Sequence, residues 1–274
     1  MMHTEVPCRR WAATRSLRVL VACFALLFVV GCGSAAVPTC GHGAGVGTCT
    51  RILFLGNSYT YVNDLPSTFA QLAWSGGHAV EVAMVANGGE TLAQHAASSD
   101  SLGKIASGGW AYVVLQEQSD TPASAAASGS YMYPAARTLA DRVEHVGAVP
   151  MFFMTWAHKD GEPTAGQNYE AMQQAVDNSY LGIARELHVP VAPVGYTWYL
   201  VRHDRPEITL WGDDGSHPSK AGTYLAACVF YASVFRQSPG GLSFHGGVTD
   251  EQARELEDEA GRYVLDMQAE WGLR

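Results

Sequence analysis

Residues 51–60 read Arg-Ile-Leu-Phe-Leu-Gly-Asn-Ser-Tyr-Thr, and this stretch decides how the chain folds. Its run of apolar residues, short and closed by a glycine, predicts a buried β-strand. The Asn57-Ser58 pair that follows is typical of a turn leading into a helix. A strand joined to a helix in this way is one unit of an α/β fold, and such a fold requires the same alternation further along the chain.

The alternation continues over the following two hundred or so residues. Short apolar runs predict four more strands, at residues 80–85, 112–115, 150–155 and 189–194. Helical patterns occur near residues 64–75, 91–97, 131–147, 167–187, 219–235 and 249–271, whereas the Ser/Ala/Gly-rich segments near 97–109 and 119–130 are expected to be loops. This order predicts a parallel sheet covered by helices on both faces, with its ligand site beyond the carboxyl ends of the strands.

The first residues predict export rather than folded structure. Four arginines within residues 9–18 precede an uncharged apolar run over residues 19–30, which is too short to span a bilayer as a helix. A secretory signal over residues 1–31 is therefore predicted. The run ends in Val-Val-Gly-Cys at residues 29–32, which resembles the bacterial lipobox and implies a lipid anchor on Cys32 in the cell envelope. The alternatives are an ordinary signal peptide cut a few residues later and an uncleaved anchor.

Residues 32–50 are predicted to be a tether between the membrane and a domain formed by residues 51–274. Cys40 and Cys49 bracket a glycine-rich segment, and in an oxidising compartment they could close a small disulfide. A metal site formed by these cysteines with His42 is a poor alternative, since a fourth ligand is missing.

Charge and motif content exclude several classes of protein. Without residues 1–31 the chain keeps 13 Lys and Arg against 25 Asp and Glu, which argues against nucleic acid as a partner. The histidines are dispersed without a His-Glu-x-x-His pattern, and Gly56 does not begin a phosphate-binding loop. No metal and no nucleotide cofactor are therefore expected.

Two polar segments carry the pattern of a nucleophile and its base. Ser58, placed directly after the first strand, can present its hydroxyl and a free backbone N–H together. Near the other end of the chain, Asp213-Asp214-Gly-Ser-His217 precedes a predicted helix. An Asp that orients the histidine would leave the other ring nitrogen free to act as a base, and Asp213 competes with Asp214 for this role.

Two more polar segments follow strands. Residues 87–91 read Asn-Gly-Gly-Glu-Thr after the second strand, and residues 116–120 read Gln-Glu-Gln-Ser-Asp after the third. A glycine N–H and a glutamine amide, together with the N–H of Ser58, would supply three donors to a developing oxyanion.

Serine after strand one, glycine after strand two, an amide after strand three and a late Asp-x-x-His together resemble the SGNH (GDSL-like) hydrolases. The resemblance covers residues 51 to about 235. It implies a flavodoxin-like three-layer α/β/α sandwich with a five-stranded parallel sheet, and ester hydrolysis without a cofactor. It also implies that Ser58 is the nucleophile, that Asp214 and His217 complete the triad, and that Gly89 is an oxyanion donor.

The third segment departs from the family pattern, since the usual Gly-x-Asn-Asp is missing. It looks closer to the variant found in carbohydrate acetylesterase branches, which implies Gln116 as the amide donor and leaves Gln118 as its rival. Trp156 and His158 after the fourth strand, and Trp211 ahead of the Asp-Asp pair, could line the pocket, although buried aromatic packing is the alternative.

The sequence thus predicts a serine esterase that removes a small acyl group, acetyl in the first instance, from a carbohydrate or other small ester. An O-acetyltransferase that uses the same site is the first alternative, and an inactive glycan-binding surface lipoprotein is the second. The sequence does not show the oligomeric state, nor the acyl chain and the alcohol of the substrate.

Overall fold

The computed structural model describes Cys40 and residues 49–273. The predicted signal and Cys32 lie outside the described residues, as does His42. Cys40 and Cys49 are joined by a disulfide, with their Cα atoms 6.0 Å apart. Among the described residues, none of the helices combines the length and the apolar character needed to cross a membrane.

Five parallel strands form a single sheet in the order β2-β1-β3-β4-β5. Their bounds are β1 Thr50–Gly56, β2 Val80–Ala86, β3 Tyr112–Leu115, β4 Val149–Phe153 and β5 Val191–Ala192. The predicted five-stranded parallel sheet is confirmed. The last strand is shorter than expected because Pro190 and Pro193 bracket it, and proline cannot donate a hydrogen bond to a neighbouring strand.

Ten α-helices accompany the strands among the described residues. They are α1 Ser58–Tyr61, α2 Leu65–Ser75, α3 Leu92–Ala97, α4 Ser99–Ala106, α5 Ala125–Ala127, α6 Tyr133–His145, α7 Tyr169–Leu187, α8 Val194–Asp204, α9 Lys220–Phe235 and α10 Asp250–Leu265. The segments near 97–109 and 119–130, expected to be loops, therefore hold α4, α5 and a π-helical turn at Ser128–Met132. Both helices begin where a serine hydroxyl, that of Ser98 or Ser124, accepts a hydrogen bond from a backbone N–H of the first turn.

The helices pack in two sets, one that contains α2, α8, α9 and α10 and one that contains α3, α4, α6 and α7. The chain moves from β1 outward to β2 and then crosses to β3 on the other side of β1. This reversal opens a crevice beyond the carboxyl ends of β1 and β3, where ligands bind in sheets of this order. The three-layer α/β/α architecture expected from the sequence is confirmed.

The core lies where the central strand meets the buried helix α9. Phe54 of β1 is fully buried and makes edge-to-face contacts with Phe69 of α2 and Phe230 of α9. Every residue of α9 from Ala221 to Val234 is buried. A helix that is apolar all round needs neighbours on every side, and α9 has them in the adjoining helices and the sheet. The carboxyl end of β1 is thereby held on a rigid base.

Candidate active site

Ser58 is the first residue of α1, immediately beyond β1. The Asn57 side chain caps this short helix by accepting a hydrogen bond from the Tyr59 N–H at 3.1 Å. Gly56 is required at the end of the strand, because a Cβ atom there would overlap the side chains of Thr60 and Gln116. The sequence Gly-Asn-Ser thus turns the chain tightly and leaves the serine at the edge of the sheet.

His217 lies within hydrogen-bond distance of Ser58 although 159 positions separate them in the chain. Its Nε2 atom is 2.8 Å from the Ser58 Oγ, and its Nδ1 atom is 2.5 Å from Oδ2 of Asp214. The serine hydroxyl donates to Nε2 in the tautomer that carries its proton on Nδ1. Asp213, the rival carboxylate, is exposed, and the structure places Asp214 rather than Asp213 against the imidazole.

The Asp214 carboxylate is held in its charged form by several donors. Its Oδ1 atom accepts hydrogen bonds from the backbone N–H groups of Ser216 at 3.0 Å and His217 at 2.9 Å. The hydrogen bond from the His217 ring is the main reason that the pKa of Asp214 is lowered to about 2, with the Ser216 N–H adding to the effect. The carboxylate can therefore accept a hydrogen bond from the Nδ1–H of His217 throughout the physiological pH range.

The Ser58 and Gly89 backbone N–H groups donate no hydrogen bond within the described part of the chain. The Ser58 group is the first N–H of a helix, which has no partner inside the helix. Gly89 has a φ of 69° and lies in an exposed turn between Asn87 and Glu90. The Asn57 amide donates to the Glu90 carbonyl at 2.9 Å, which ties this turn to the residue before Ser58.

Gln116, expected to donate to an oxyanion, does not face the site as a free amide. Its side chain is fully buried, and its Oε1 atom accepts hydrogen bonds from Asn57 N at 2.9 Å and Thr60 Oγ1 at 2.8 Å. Its Nε2 atom donates to the Glu117 carbonyl at 2.6 Å. Through its Oε1 atom, Gln116 supports the turn that carries Ser58.

Its rival Gln118 also bonds to its own segment of chain. The Gln118 Oε1 atom accepts from the N–H groups of Asp120 at 2.9 Å and Thr121 at 3.2 Å, and the Nε2 atom donates to Asp120 Oδ2 at 3.0 Å. This is the local side-chain turn that polar residues commonly form in loops. In this structure the amide group of each glutamine donates to a neighbouring group of the chain.

Trp156 and Trp211 are structural rather than pocket-lining, which corrects the expectation that they could contact a sugar. Trp156 is fully buried in a stack between Tyr59, at 4.5 Å between ring centroids, and Trp198, at 4.0 Å. Trp211 is also buried, and its Nε1–H donates to the Ala157 carbonyl at 3.1 Å. Sequence alone cannot separate a buried aromatic cluster at a strand end from an open platform, because both use the same residue types.

His158 is half-buried beside the segment that follows β3. Its Nε2 atom lies 3.4 Å from the Ser119 Oγ and 3.6 Å from Asp120 Oδ1. Asp120, His158 and Glu162 bring one ligand-type atom each within 4.8 Å of the others, and are the described residues at this edge that could hold a metal ion. One carboxylate oxygen of Glu162 already accepts from Thr164, and Asp120 accepts from Gln118.

No role is predicted for Glu117 from the sequence, although a charged residue two positions after a buried strand is a usable signal. Its side chain is fully buried, and Oε1 accepts from the N–H groups of Leu92 at 3.2 Å and Gln118 at 2.7 Å. Its Oε2 atom is buried and has no hydrogen-bond partner among the described residues. Burial raises the pKa of Glu117 to about 7. The carboxyl group links the start of α3, just after the Gly89 turn, to the segment after β3.

Comparison with known proteins agrees with this architecture. No family model matches the sequence, and no curated protein matches it closely enough to report. Among solved structures, a protein from Slackia heliotrinireducens assigned to the SGNH hydrolases matches with 28% identity and a TM-score of 0.57. That match covers 67% of this chain and 98% of the other.

Two more distant matches share the fold. A protein of the DUF4886 family from Bacteroides uniformis matches with 16% identity and a TM-score of 0.66, over 80% of this chain and 95% of its own. A variant of an acetyl-xylooligosaccharide esterase from Geobacillus matches with 14% identity and a TM-score of 0.51, over 68% of this chain. The α/β fold is therefore that of the SGNH hydrolases, and the neighbour at 28% identity supports hydrolysis as the general class of reaction.

Proposed function

We propose that this chain is a serine esterase that hydrolyses a small acyl ester, with acetyl groups on a carbohydrate as the favoured substrate class. The observation that carries the proposal is the hydrogen-bonded series from Ser58 Oγ through the His217 ring to Asp214, at 2.8 Å and 2.5 Å. This series is the arrangement that activates a serine hydroxyl as a nucleophile.

In the proposed reaction His217 removes the Ser58 proton as Oγ attacks the ester carbonyl. The carbonyl oxygen gains the negative charge, and the free N–H groups of Ser58 and Gly89 are the donors proposed to stabilise it. Protonated His217 then gives its proton to the leaving alcohol as the C–O bond breaks, which leaves an acyl group on Ser58. Water, deprotonated by the same histidine, then attacks this acyl-enzyme. His217 returns the proton to Ser58 Oγ as the acyl C–O bond breaks, which releases the carboxylic acid and free Ser58.

The acetyl and carbohydrate assignment has narrower support than ester hydrolysis itself. One structural neighbour is named as an acetyl-xylooligosaccharide esterase, but at 14% identity this likeness concerns the fold. The Gln-Glu-Gln-Ser-Asp segment adds the resemblance to carbohydrate acetylesterase branches. The two buried tryptophans do not contribute a sugar platform, so the sugar contact is assigned to more exposed groups such as His158 at the rim.

The test compares the wild-type protein with Ser58→Ala on p-nitrophenyl acetate and on a panel of acetylated oligosaccharides. Loss of the nucleophile should reduce kcat by up to about 10⁶-fold, the size found for serine triads. Ser67→Ala, in the first turn of α2, is the matched control and should retain wild-type rates. Undiminished activity of Ser58→Ala would refute the assignment.

Two outcomes would identify the alternatives. Acetyl transfer to an added sugar that outruns hydrolysis would make the protein an O-acetyltransferase that uses the same site. Failure of a fluorophosphonate to label Ser58 in folded protein would instead favour a glycan-binding protein without esterase activity.

We also propose that the protein is exported and anchored through a lipid on Cys32. The support is the lipobox-like Val-Val-Gly-Cys at residues 29–32 at the end of the apolar run. Metabolic labelling with a radioactive fatty acid should mark the wild-type chain, and Cys32→Ser should abolish the label. Labelling that persists in Cys32→Ser would contradict the anchor.

A further inference from the structure

The His217 loop is contacted on both sides of the histidine by the segment that carries Ser58. Before the histidine, the Ser216 hydroxyl lies 2.8 Å from the phenolic oxygen of Tyr59. After it, the Pro218 carbonyl accepts a hydrogen bond of 3.0 Å from the Asn63 amide. Two residues within five positions of Ser58 therefore hold the two neighbours of His217.

These contacts matter because Asp214 cannot set the distance between His217 and Ser58. Asp214 and His217 belong to one loop, so they move together when the loop moves. Their side chains are 53% and 38% exposed, and the Tyr59 ring makes an edge-to-face contact with the His217 ring. The distance between Oγ and Nε2 depends instead on contacts between the loop and other elements. Besides Tyr59 and Asn63, these come from the segment after β4, which is bonded to Ser216 and Gly215.

Tyr59 is a rigid support for its side of the loop. Its ring is buried and lies flat against Trp156, with 6° between the ring planes. The Trp156 Nε1–H donates to the Ser216 carbonyl at 2.9 Å, so the same residue is held at its backbone and at its side chain. Burial raises the pKa of Tyr59 to about 12, which keeps the phenol protonated and able to donate.

Asn63 is placed by an unusual backbone conformation. Its φ is 56° and that of Asp64 is 54°, so two successive residues other than glycine adopt the left-handed region. This conformation is uncommon, and Asn and Asp are among the residues that tolerate it best. In this turn between α1 and α2, the Asn63 amide bonds both to Pro218 and, at 3.1 Å, to Thr223 Oγ1 in α9. Backbone strain of this kind is found where a neighbouring group must be held.

We propose that Tyr59 and Asn63 are positioning residues that hold His217 at hydrogen-bond distance from Ser58. The proposal rests on the proposed esterase function. Neither residue reaches the reacting atoms in this role. Each acts through the residue next to His217. The segment that carries the nucleophile Ser58 therefore also sets the position of its base, His217.

The experiment compares Asn63→Gly and Tyr59→Phe with Asp64→Gly. Glycine keeps the left-handed backbone without strain and removes the amide, and phenylalanine keeps the ring on Trp156 and removes the hydroxyl. Asp64→Gly makes the same backbone change one residue later, where the side chain accepts a hydrogen bond from the Ser67 N–H and from no other group in the described part of the chain. All three variants are measured for kcat and KM on p-nitrophenyl acetate, for inactivation by a fluorophosphonate and for Tm.

Asn63→Gly and Tyr59→Phe should each lower kcat by roughly 10- to 100-fold, since misplacement of a reacting group by about 1 Å has effects of this size. KM should change by less than about threefold, because the substrate contacts are untouched. Fluorophosphonate inactivation should slow in parallel with kcat, since it needs the same activated serine. Asp64→Gly should keep wild-type kcat, even if its Tm falls with the loss of a helix cap.

Each other outcome overturns the proposal in a distinguishable way. Wild-type kcat in Asn63→Gly and Tyr59→Phe, with Ser58→Ala inactive, would refute the positioning role and leave the esterase function in place. Equal losses in Asn63→Gly and Asp64→Gly would assign the effect of Asn63 to the backbone turn. Activity in Ser58→Ala would refute the esterase function itself.

Discussion

The segments that follow β1 and β3 lie side by side at the same sheet edge, and they use their polar side chains in opposite ways. After β1, the Ser58 hydroxyl is directed at His217. After β3, the two glutamine amides bond to the chain itself. Gln116 bonds to the turn that carries Ser58, and Gln118 bonds to its own loop. The two strands are hydrogen-bonded neighbours, so position alone does not separate their roles.

The difference lies in which groups retain free hydrogen-bonding capacity. The Ser58 N–H and hydroxyl stand at a helix start, where the backbone has no partner for the first N–H groups. The β3 segment instead buries a carboxamide and a carboxyl group, and buried polar groups are costly unless they are bonded. The β1 side, with the His217 loop, is the reacting side of the crevice, and the β3 side is its support. The following predictions test this division.

The largest effect is expected from Asp214→Asn on the reacting side. The backbone N–H groups of Ser216 and His217 hold the amide oxygen at the Oδ1 position, so the NH2 group faces Nδ1 and donates to it. His217 is then left in the wrong tautomer, and kcat should fall by about 10⁴-fold. Asp213→Asn is the matched control, and its kcat should stay within about threefold of wild type, because Asp213 makes no contact with the ring. Steady-state kinetics on p-nitrophenyl acetate measure both. Equal losses in the two variants would remove the distinction between the carboxylates.

On the support side, Glu117→Gln should change the pH dependence of stability. The pKa of Glu117 is about 7 in the folded protein against 4.5 for a free side chain, so between these pH values only the folded state keeps the proton. The free energy of unfolding should therefore fall as pH rises through this window, by about 1.4 kcal/mol per pH unit for one group. Glutamine does not titrate, so the variant should lose the contribution of Glu117 to this pH dependence. Over the whole window that contribution is at most about 3 kcal/mol.

Urea unfolding at pH 4.5, 5.5, 6.5 and 7.5 measures the slope for Glu117→Gln. Burial also raises the pKa of Asp177 in α7 to about 7, so both carboxyl groups contribute to the pH dependence of the wild-type free energy of unfolding. The variant Asp177→Asn measures the contribution of Asp177. A slope in Glu117→Gln equal to that of the wild-type protein would show that Glu117 is ionised in the folded state.

Gln116→Ala should act on stability more than on catalysis. Removal of the carboxamide leaves Asn57 N–H, Thr60 Oγ1 and the Glu117 carbonyl without their partner, which should lower the free energy of unfolding by about 2 kcal/mol. The loss of kcat should stay below about 10-fold, whereas removal of a true oxyanion donor costs about 10²- to 10³-fold. Gln173→Ala, another buried glutamine, is the control for stability, and a kcat loss of the larger size would move Gln116 to the reacting side.

The sequence predicts well which strand ends carry the polar residues of the site. It predicts poorly which groups surround each side chain. The pattern of apolar runs places Ser58, Gly89 and the β3 segment at one edge, because parallel strands end together. It does not predict α4, whose Ser-Asp-Ser-Leu-Gly sequence has little apolar periodicity and depends on the Ser98 cap and on the burial of Ile105. Local pattern also cannot show that Trp156 lies beneath Tyr59, since that contact joins residues almost a hundred positions apart.

The contacts that hold the site together are the hardest to predict. Asn63 looks like an ordinary loop residue in sequence, and its contact with Pro218 spans 155 positions. The choice between Gln116 and Gln118 could not be made from sequence, because it depends on which amide is already bonded. In the structure both amides make hydrogen bonds to the chain, and the identity of the oxyanion amide stays a prediction.

The smallest effect is expected from Gln118→Ala, and it is the sharpest test of the division between the two sides. Among the described residues, the Gln118 amide bonds only to its own turn at Ser119, Asp120 and Thr121, so its loss should leave kcat/KM within about twofold. Gln174→Ala, an exposed glutamine on α7, is the matched control. A loss of about 10²-fold in Gln118→Ala alone would match an oxyanion donor. The turn would then have to open when substrate binds and release the amide, and the β3 segment would belong to the reacting side after all.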